Sequence, residues 1–405
     1  MNKDYFLFEW RQLLHSKKTI GLFCLLMIYA IVYCFQQQSY RPIERVDKAE
    51  MTQRYQVRQA YLDQQAETPS EHWSAGLAIA AFTPWNQAEK ARLDALASGD
   101  WQAYAAATSQ WYQVALTYTD DQSIFYTPDY YTYKNYYAAY DGRFGYASTA
   151  RLMDSYRQLP NNQLSQAVME QKTGIQTVYR GMLDVLPLLF VCVTLFLSID
   201  CLLKERKHRS LFLAFPMVAE DMLWTKTAAV MLCSALMMLS TMGVIWLGTG
   251  LQFGFGSVSL PVAIFSADVD ARYPIASMEA FGTQSIGWFL CQCVATILLI
   301  QLIYTRGILL LSVLFRSELF NLLLVGFCLM TPLIFQHRWF SAFLDRSNNL
   351  YLYQEVGKIL SGYSRFYFGS SGFILSKGLL WFGVVWLVIE CGLFFKLQHK
   401  TGRIV

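Results

Sequence analysis

Catalysis, metal binding and proton transfer need particular side chains brought close together, and this sequence keeps them apart. The five histidines, His15, His72, His208, His337 and His399, are scattered along the chain. No metal cluster is expected from that spacing. Cys291 and Cys293 form a C-x-C pair on a predicted helix. Residues two apart do not share a helix face, so both are read as packing residues. Asp184 and Asp200 fall near opposite ends of one apolar run, too far apart along it to act as a catalytic pair. Water or snorkelling serves carboxylates at such ends. The sequence has no G-x-x-x-x-G-K-[ST] phosphate loop, no H-E-x-x-H and no G-x-S-x-G elbow. No catalytic, cofactor-binding or metal-ligating residue is expected in this chain, and it is not expected to be an enzyme. Few ionisable groups interrupt the apolar runs, which argues against an ion-driven carrier. Any energy has to come from another molecule.

The stretch that stands out is 201–226, between two long apolar runs. It carries Lys204, Glu205, Arg206, Lys207, His208 and Arg209 in one block, then an amphipathic segment broken at Pro216. Lys and Arg in short loops between spans are retained on the cytoplasmic side. The stretch is also long enough to present a helix-sized surface to a soluble partner.

Composition sets the class. The chain has 405 residues, 54% hydrophobic and 15% charged, against roughly 25% charged in globular chains. The deficit is concentrated in runs of about 20 apolar residues, the length that crosses a bilayer. A polytopic, all-α membrane protein is expected, with both termini cytoplasmic. The net charge of +4 is too small to argue for nucleic acid. The nine cysteines lie in or beside the apolar runs, and the polar insert 36–177 has none. That insert has to fold on its core alone, without a disulfide framework.

On this reading the chain divides at the ends of its apolar runs. Residues 1–18 form a cytoplasmic interfacial helix, with Phe6, Phe8 and Trp10 towards the headgroup layer and Arg11, Lys17 and Lys18 among its charges. Residues 19–35 are the first span, a retained anchor without a small-x-small cleavage site. Residues 36–177 are a large, mainly helical extracellular domain. Within it 46–65, 75–81, 85–96 and 101–116 read as helices, with a break at Pro84 and a turn at Gly99–Asp100. A tyrosine cluster, including Tyr126, Tyr130, Tyr131, Tyr133, Tyr136, Tyr137, Tyr140 and Tyr146, is read as core and bilayer seat. Span two is 178–203, and 204–226 is a cytoplasmic coupling loop or helix. Span three, 227–252, leads to an extracellular loop, 253–285, with room for a short surface helix. Spans four and five are 286–314 and 319–335. Residues 336–377 are extracellular or re-entrant half-helices. Span six, 378–395, precedes a cytoplasmic tail, 396–405. Glu390 in that last span is expected to pair with Lys396 or with a neighbouring helix. The total is about six spans.

This pattern resembles the membrane (permease) subunit of a bacterial type-2 ATP-binding-cassette (ABC) exporter. In that family the loop after the second span carries an acidic-basic pair, a small residue, a Leu-rich turn, a Pro and a Lys opening the third span. Here the matching residues are Glu205, Arg206, Ser210, Leu211, Phe212, Leu213, Pro216 and Lys226. The likeness covers about two thirds of the chain by span accounting. It departs from the family at Lys207–Arg209, where a Gly-Thr often begins the turn, and in the size of the first extracellular region.

The resemblance implies a coupling helix docking on a separate cytoplasmic ABC ATPase, with ATP-Mg bound by that partner and no cofactor in this chain. It also implies a permease dimer, homo or hetero, in the bacterial plasma membrane. The expected function is export of a hydrophobic or amphipathic substrate, such as a peptide, an antimicrobial or a lipid-like molecule. The alternative is a membrane sensor or scaffold with an extracellular ligand-binding domain. A membrane-embedded enzyme ranks last, because no paired catalytic groups are visible.

Overall fold

The computed structural model describes residues 3–118, 138–202, 218–268, 277–315, 317–335 and 346–399. The chain forms two compact units. Unit 1 comprises Met1–Phe35, Arg180–Trp246 and Leu290–Val405, and unit 2 comprises Gln36–Tyr179 and Leu247–Phe289. Both are predominantly helical.

Unit 1 begins with α1 (Lys3–Leu14) and α2 (Lys17–Gln36). The end of α8 (Gly174–Leu183) and α9 (Leu186–Ser198) come next, then α10 (Ala219–Phe253), α11 (Ile286–Leu314) and α12 (Glu318–Phe335). The short helices α13 (Val356–Leu360) and α14 (Tyr363–Phe368) precede α15 (Leu375–His399). Leu26 of α2, Val193 and Leu197 of α9, and Val230, Cys233 and Met237 of α10 make one apolar core. Leu202, Leu223, Leu309, Val313 and Leu393 make a second. Polar groups inside this unit bond to one another. Gln301 is fully buried, accepts from Ser234 Oγ at 3.1 Å and donates to the Phe190 carbonyl at 3.1 Å. The outer faces of α2 and α15 are apolar: Leu25, Ile28, Leu380 and Val388 are each more than half exposed. Contiguous apolar surface of that kind marks contact with lipid or with another protein.

Among the described residues, four helices are long and apolar enough to cross a membrane: α2, α10, α11 and α15. A bent pair raises the number to five. Two of the about six expected spans are not single helices of that length and apolarity among the described residues. The apolar stretch of α12, Glu318–Pro332, is shorter than the others. The expected continuous span 178–203 is broken, with the preceding Gln166–Leu183 portion and α9 meeting at 66°. Pro187 sits in the first turn of α9, where a missing N–H costs nothing, and it lacks the N–H that would bond the Leu183 carbonyl to carry the preceding helix onward. Gly357 packs against the break so closely that a Cβ there would lie 2.3 Å from the Met182 carbonyl oxygen.

Unit 2 contains α3 (Lys48–Glu67), α4 (Trp73–Ser98), α5 (Trp101–Tyr118), α6 (Ala138–Tyr156) and α7 (Gln166–Met169). Asp47 caps α3 by accepting from the Ala49 and Glu50 N–H groups, both at 3.1 Å. Gly99 closes α4 with φ +69°, the left-handed cap expected of glycine. The anticipated break at Pro84 does not occur, and α4 runs through it. Ala80, whose carbonyl the proline cannot bond, is exposed, so water can serve it. Tyr146 is buried in the core with Trp111, Tyr112 and Ala150. Tyr126, Tyr130, Tyr131, Tyr133, Tyr136 and Tyr137 lie outside the described residues, and the side chain of Tyr140 is likewise not described.

The segment expected as a loop with a surface helix is instead a two-stranded antiparallel sheet in unit 2, β1 (Pro261–Phe265) and β2 (Phe281–Ser285). Phe265 pairs with Phe281 across the strands, and Phe144 of α6 packs on both, with ring centroids 6.2 and 5.1 Å away. The described residues remain predominantly helical, consistent with the expected all-α membrane protein, to which this short hairpin is an addition. Its residues mix polar and apolar types, and α6 supplies the packing that favours strand over helix.

An ionic cage organises unit 2. Glu44 accepts from Arg92 at 2.5 Å, from Tyr112 at 2.9 Å and from the Tyr104 hydroxyl. Glu89, fully buried, accepts from Arg54 at 3.3 Å, Arg58 and Arg92 at 3.2 Å, and the Trp111 indole at 2.8 Å. Burial works to lower the Arg92 pKa, but Glu44, Tyr104 and Glu89 outweigh it and hold the guanidinium well above its usual range. Replacing Arg92 with Met leaves two buried carboxylates without their shared cation. The expected loss is about 3–5 kcal/mol, read as a fall in thermal midpoint, whereas Glu50→Gln at the exposed i,i+4 pair with Arg54 costs about 0–1 kcal/mol.

Burial, then Glu44, push the Tyr104 phenol far above its ordinary value. The folded state thus favours the protonated phenol. Its contribution is complete below about pH 10 and is lost as pH rises further. The thermal midpoint of the wild type should decline above that pH more steeply than that of Tyr104→Phe.

Candidate functional site

The segment singled out for partner docking, with Glu205, Arg206, Ser210, Leu211, Phe212, Leu213 and Pro216, lies outside the described residues. Its two roots are described, and three ion pairs of unit 1 lie in or beside them. The first root is the end of α9 and the turn to Leu202. Ser198 Oγ donates to the Thr194 carbonyl at 2.8 Å, tying the last turn to itself. Lys18, at the start of α2, pairs with the Asp200 carboxylate and lies 3.5 Å from the Leu197 carbonyl oxygen. A cation here also meets the negative end of the α9 dipole.

The second root is the first two turns of α10. Glu220 and Asp221 lie in its first turn, the favourable sign for a helix start. Lys226 has a side chain only 3% exposed and pairs with Glu9 of α1 at 2.7 Å. Its ammonium also lies 5.8 Å from the centre of the Tyr5 ring. Helix α1 therefore fastens one root through Glu9, and the α1–α2 corner fastens the other through Lys18. Trp10 and Leu13 of α1 pack against the apolar core shared by α2, α9 and α10.

Two residues before Lys226, Trp224 carries the Arg306 guanidinium of α11 over its ring at 4.2 Å. Arg306 grips Glu390 of α15 with two bonds, Nε at 2.6 Å and Nη2 at 2.5 Å. Of the two partners expected for Glu390, the neighbouring helix is the one found. Nη1 of Arg306 is buried without a bond. Leu202 and Leu223, one from each root, touch the same apolar core as Leu309 of α11 and Leu393 of α15. The roots are thus joined by charge and by packing to α1, α2, α11 and α15.

Among the interfacial-helix residues, Phe6 stacks on Trp10 at 6.4 Å and Phe8 on Tyr5 at 6.4 Å. Phe8, Arg11 and Lys17 are exposed, and Lys18 turns inward to Asp200. Sequence reasoning did not give Glu9, Trp224 and Arg306 their roles. A signal was present for Arg306, the single charge in the otherwise apolar stretch 286–314, which needs an opposite charge elsewhere. Cys291 is exposed and Cys293 buried, so the C-x-C pair is divided between two surroundings. Among the described residues, no three His, Cys, Asp or Glu side chains gather to hold a metal ion. The arrangement holds the two roots against α1, α2, α11 and α15.

Comparison with family models, with curated proteins and with solved structures gave no match.

The Glu9–Lys226 pair should behave as a coupled unit. Glu9→Lys and Lys226→Glu are each expected to loosen α1, exposing the N-terminal segment to limited proteolysis. The double exchange is expected to restore protection, with a coupling of about 1–3 kcal/mol in thermal unfolding.

Proposed function

We propose that this chain is the membrane-embedded permease subunit of an ABC-type exporter. It works with a separate cytoplasmic ATPase that binds ATP-Mg, and it moves a hydrophobic or amphipathic substrate such as a peptide, an antimicrobial or a lipid-like molecule. It acts as a homo- or heterodimer in a bacterial plasma membrane, with segment 204–226 on the cytoplasmic side. What supports this reading is the anchoring of both roots of that segment by Lys18–Asp200, Glu9–Lys226 and Trp224–Arg306–Glu390. A push on a loose loop dissipates in the loop. A push on a loop clamped at both roots moves the helices to which it is clamped, as rigid-body switching requires. In this reading Glu205 and Arg206 meet the partner's charges, and Leu211, Phe212 and Leu213 fill its groove.

The second reading, a sensor or scaffold with an extracellular ligand-binding domain, is favoured by the compactness of unit 2 and its own buried core. The two readings part at the partner. Affinity purification of the tagged chain from native membranes should bring down an ABC ATPase. Glu205→Arg, or an Asp introduced at Phe212, should abolish that association while leaving the thermal midpoint unchanged. Retention of the ATPase by every such variant sinks the docking assignment, and recovery of a kinase or transcription regulator instead supports the sensor.

A further inference from the structure

Helix α4 is capped by a group that titrates. The residue at its N-cap is His72, whose ring Nδ1 accepts from the Ser74 backbone N–H at 3.3 Å and lies 2.7 Å from Ser74 Oγ. A backbone N–H can only donate, so Nδ1 carries its lone pair here and the imidazole is neutral. The common caps, Ser, Thr, Asn and Asp, keep their acceptor near neutral pH. A histidine cap does not. A proton on Nδ1 removes the acceptor and sets a positive charge at the positive end of the helix dipole. The Ser74 hydroxyl can turn round and accept from the protonated ring, but the Ser74 N–H cannot.

The turns that follow have little else to hold them. Of residues 73–81 only Ala75 is buried, and Trp73 and Leu77 are 73% and 60% exposed. Gly76 is a poor helix former in the middle of this stretch. Firm packing begins at Phe82, whose ring meets Tyr61 of α3 edge-on at 5.5 Å. Pro84 has no N–H to bond the Ala80 carbonyl, so the backbone ladder has a missing rung there. The start of α4 is thus bounded by a titratable cap at one end and by a gap at the other. Few buried contacts and a weakened ladder are the marks of a segment that opens locally. No Asp, Glu, Lys or Arg occurs between Trp73 and Ala88. The charged groups near His72 in the chain are Asp63 and Glu67 of α3 and Glu71 in the turn. Asp63 accepts from Gln59 at 2.8 Å, and among the described residues neither Glu67 nor Glu71 pairs with the ring.

We propose that the start of α4 is an acid-released element. Neutral His72 holds 73–81 in the helix, and its protonation lets that stretch leave while the helix from Phe82 onward stays. The frayed form binds a proton at His72 that the capped form excludes, so order in 73–81 is present at higher pH and is lost as pH falls. The element lies wholly within unit 2 and operates whether or not the chain is a permease. Hydrogen exchange read by mass spectrometry tests it, on the full chain in lipid nanodiscs, with rates corrected for the intrinsic effect of pH. The two conditions are about pH 8 and about pH 5, on either side of the range in which histidine changes charge. In the wild type, protection of 73–81 should fall about fivefold between them, the loss expected of one cap, while 86–98 keeps its protection. His72→Asn supplies an acceptor that does not titrate in this range and should abolish the fall. His72→Ala should leave 73–81 poorly protected at both pH values, with 86–98 reporting that each variant is folded. Equal protection of 73–81 at the two pH values in the wild type, the same fall in His72→Asn, or a fall that spreads equally through 86–98 overturns the proposal.

Discussion

Lys226 is withdrawn from solvent almost completely, and an ammonium so placed is tolerable only beside a carboxylate. The carboxylate comes from Glu9, more than two hundred residues away in sequence but on the first helix. That requirement ties the N-terminal helix to the start of α10. The same logic repeats nearby, where Asp200 takes Lys18 and Glu390 takes Arg306. Each pair links two elements that apolar contact alone would leave free to slide, because Leu against Leu has no register. Ion pairs here contribute position more than stability. They determine which turn of α1 faces which turn of α10, and the packing of Trp10 and Leu13 is set by that choice.

Unit 2 uses the same chemistry differently. Its helices carry many small and amphipathic residues, and the segment from Gln36 to Tyr179 has no cysteine to staple it. The core is built instead around Glu44, Glu89 and Arg92, with tryptophan and tyrosine rings against the guanidinium groups. Aromatic rings that both exclude water and donate hydrogen bonds let a small helical domain bury charge. Tyr104, Trp111 and Tyr112 perform that double duty for Glu44 and Glu89.

The apolar helices were legible because hydrophobic runs need no tertiary information. Residues 286–314 were read as a span and form α11 over the same bounds. The turn at Gly99 was legible because only glycine readily takes its backbone conformation. Pro84 misled, because its effect depends on whether water reaches the freed carbonyl, which only the fold decides. The hairpin at Pro261–Phe265 and Phe281–Ser285 was hidden for a related reason: its stability lies in Phe144, more than a hundred residues earlier in the chain. Partners such as Glu9 with Lys226 were individually visible as charges, but pairing among distant charges has no period to read. The bend before α9 could have been suspected from Asp184 and Pro187 together, which interrupt an otherwise smooth run.

That bend leaves a short helix beyond it. Helix α9 has 13 residues and rises about 20 Å along its axis, against about 30 Å for the hydrocarbon of an ordinary bilayer. Nine of the 13 residues of α9 are buried, so the kink tucks a short apolar helix beneath its neighbours rather than turning it outward along its length.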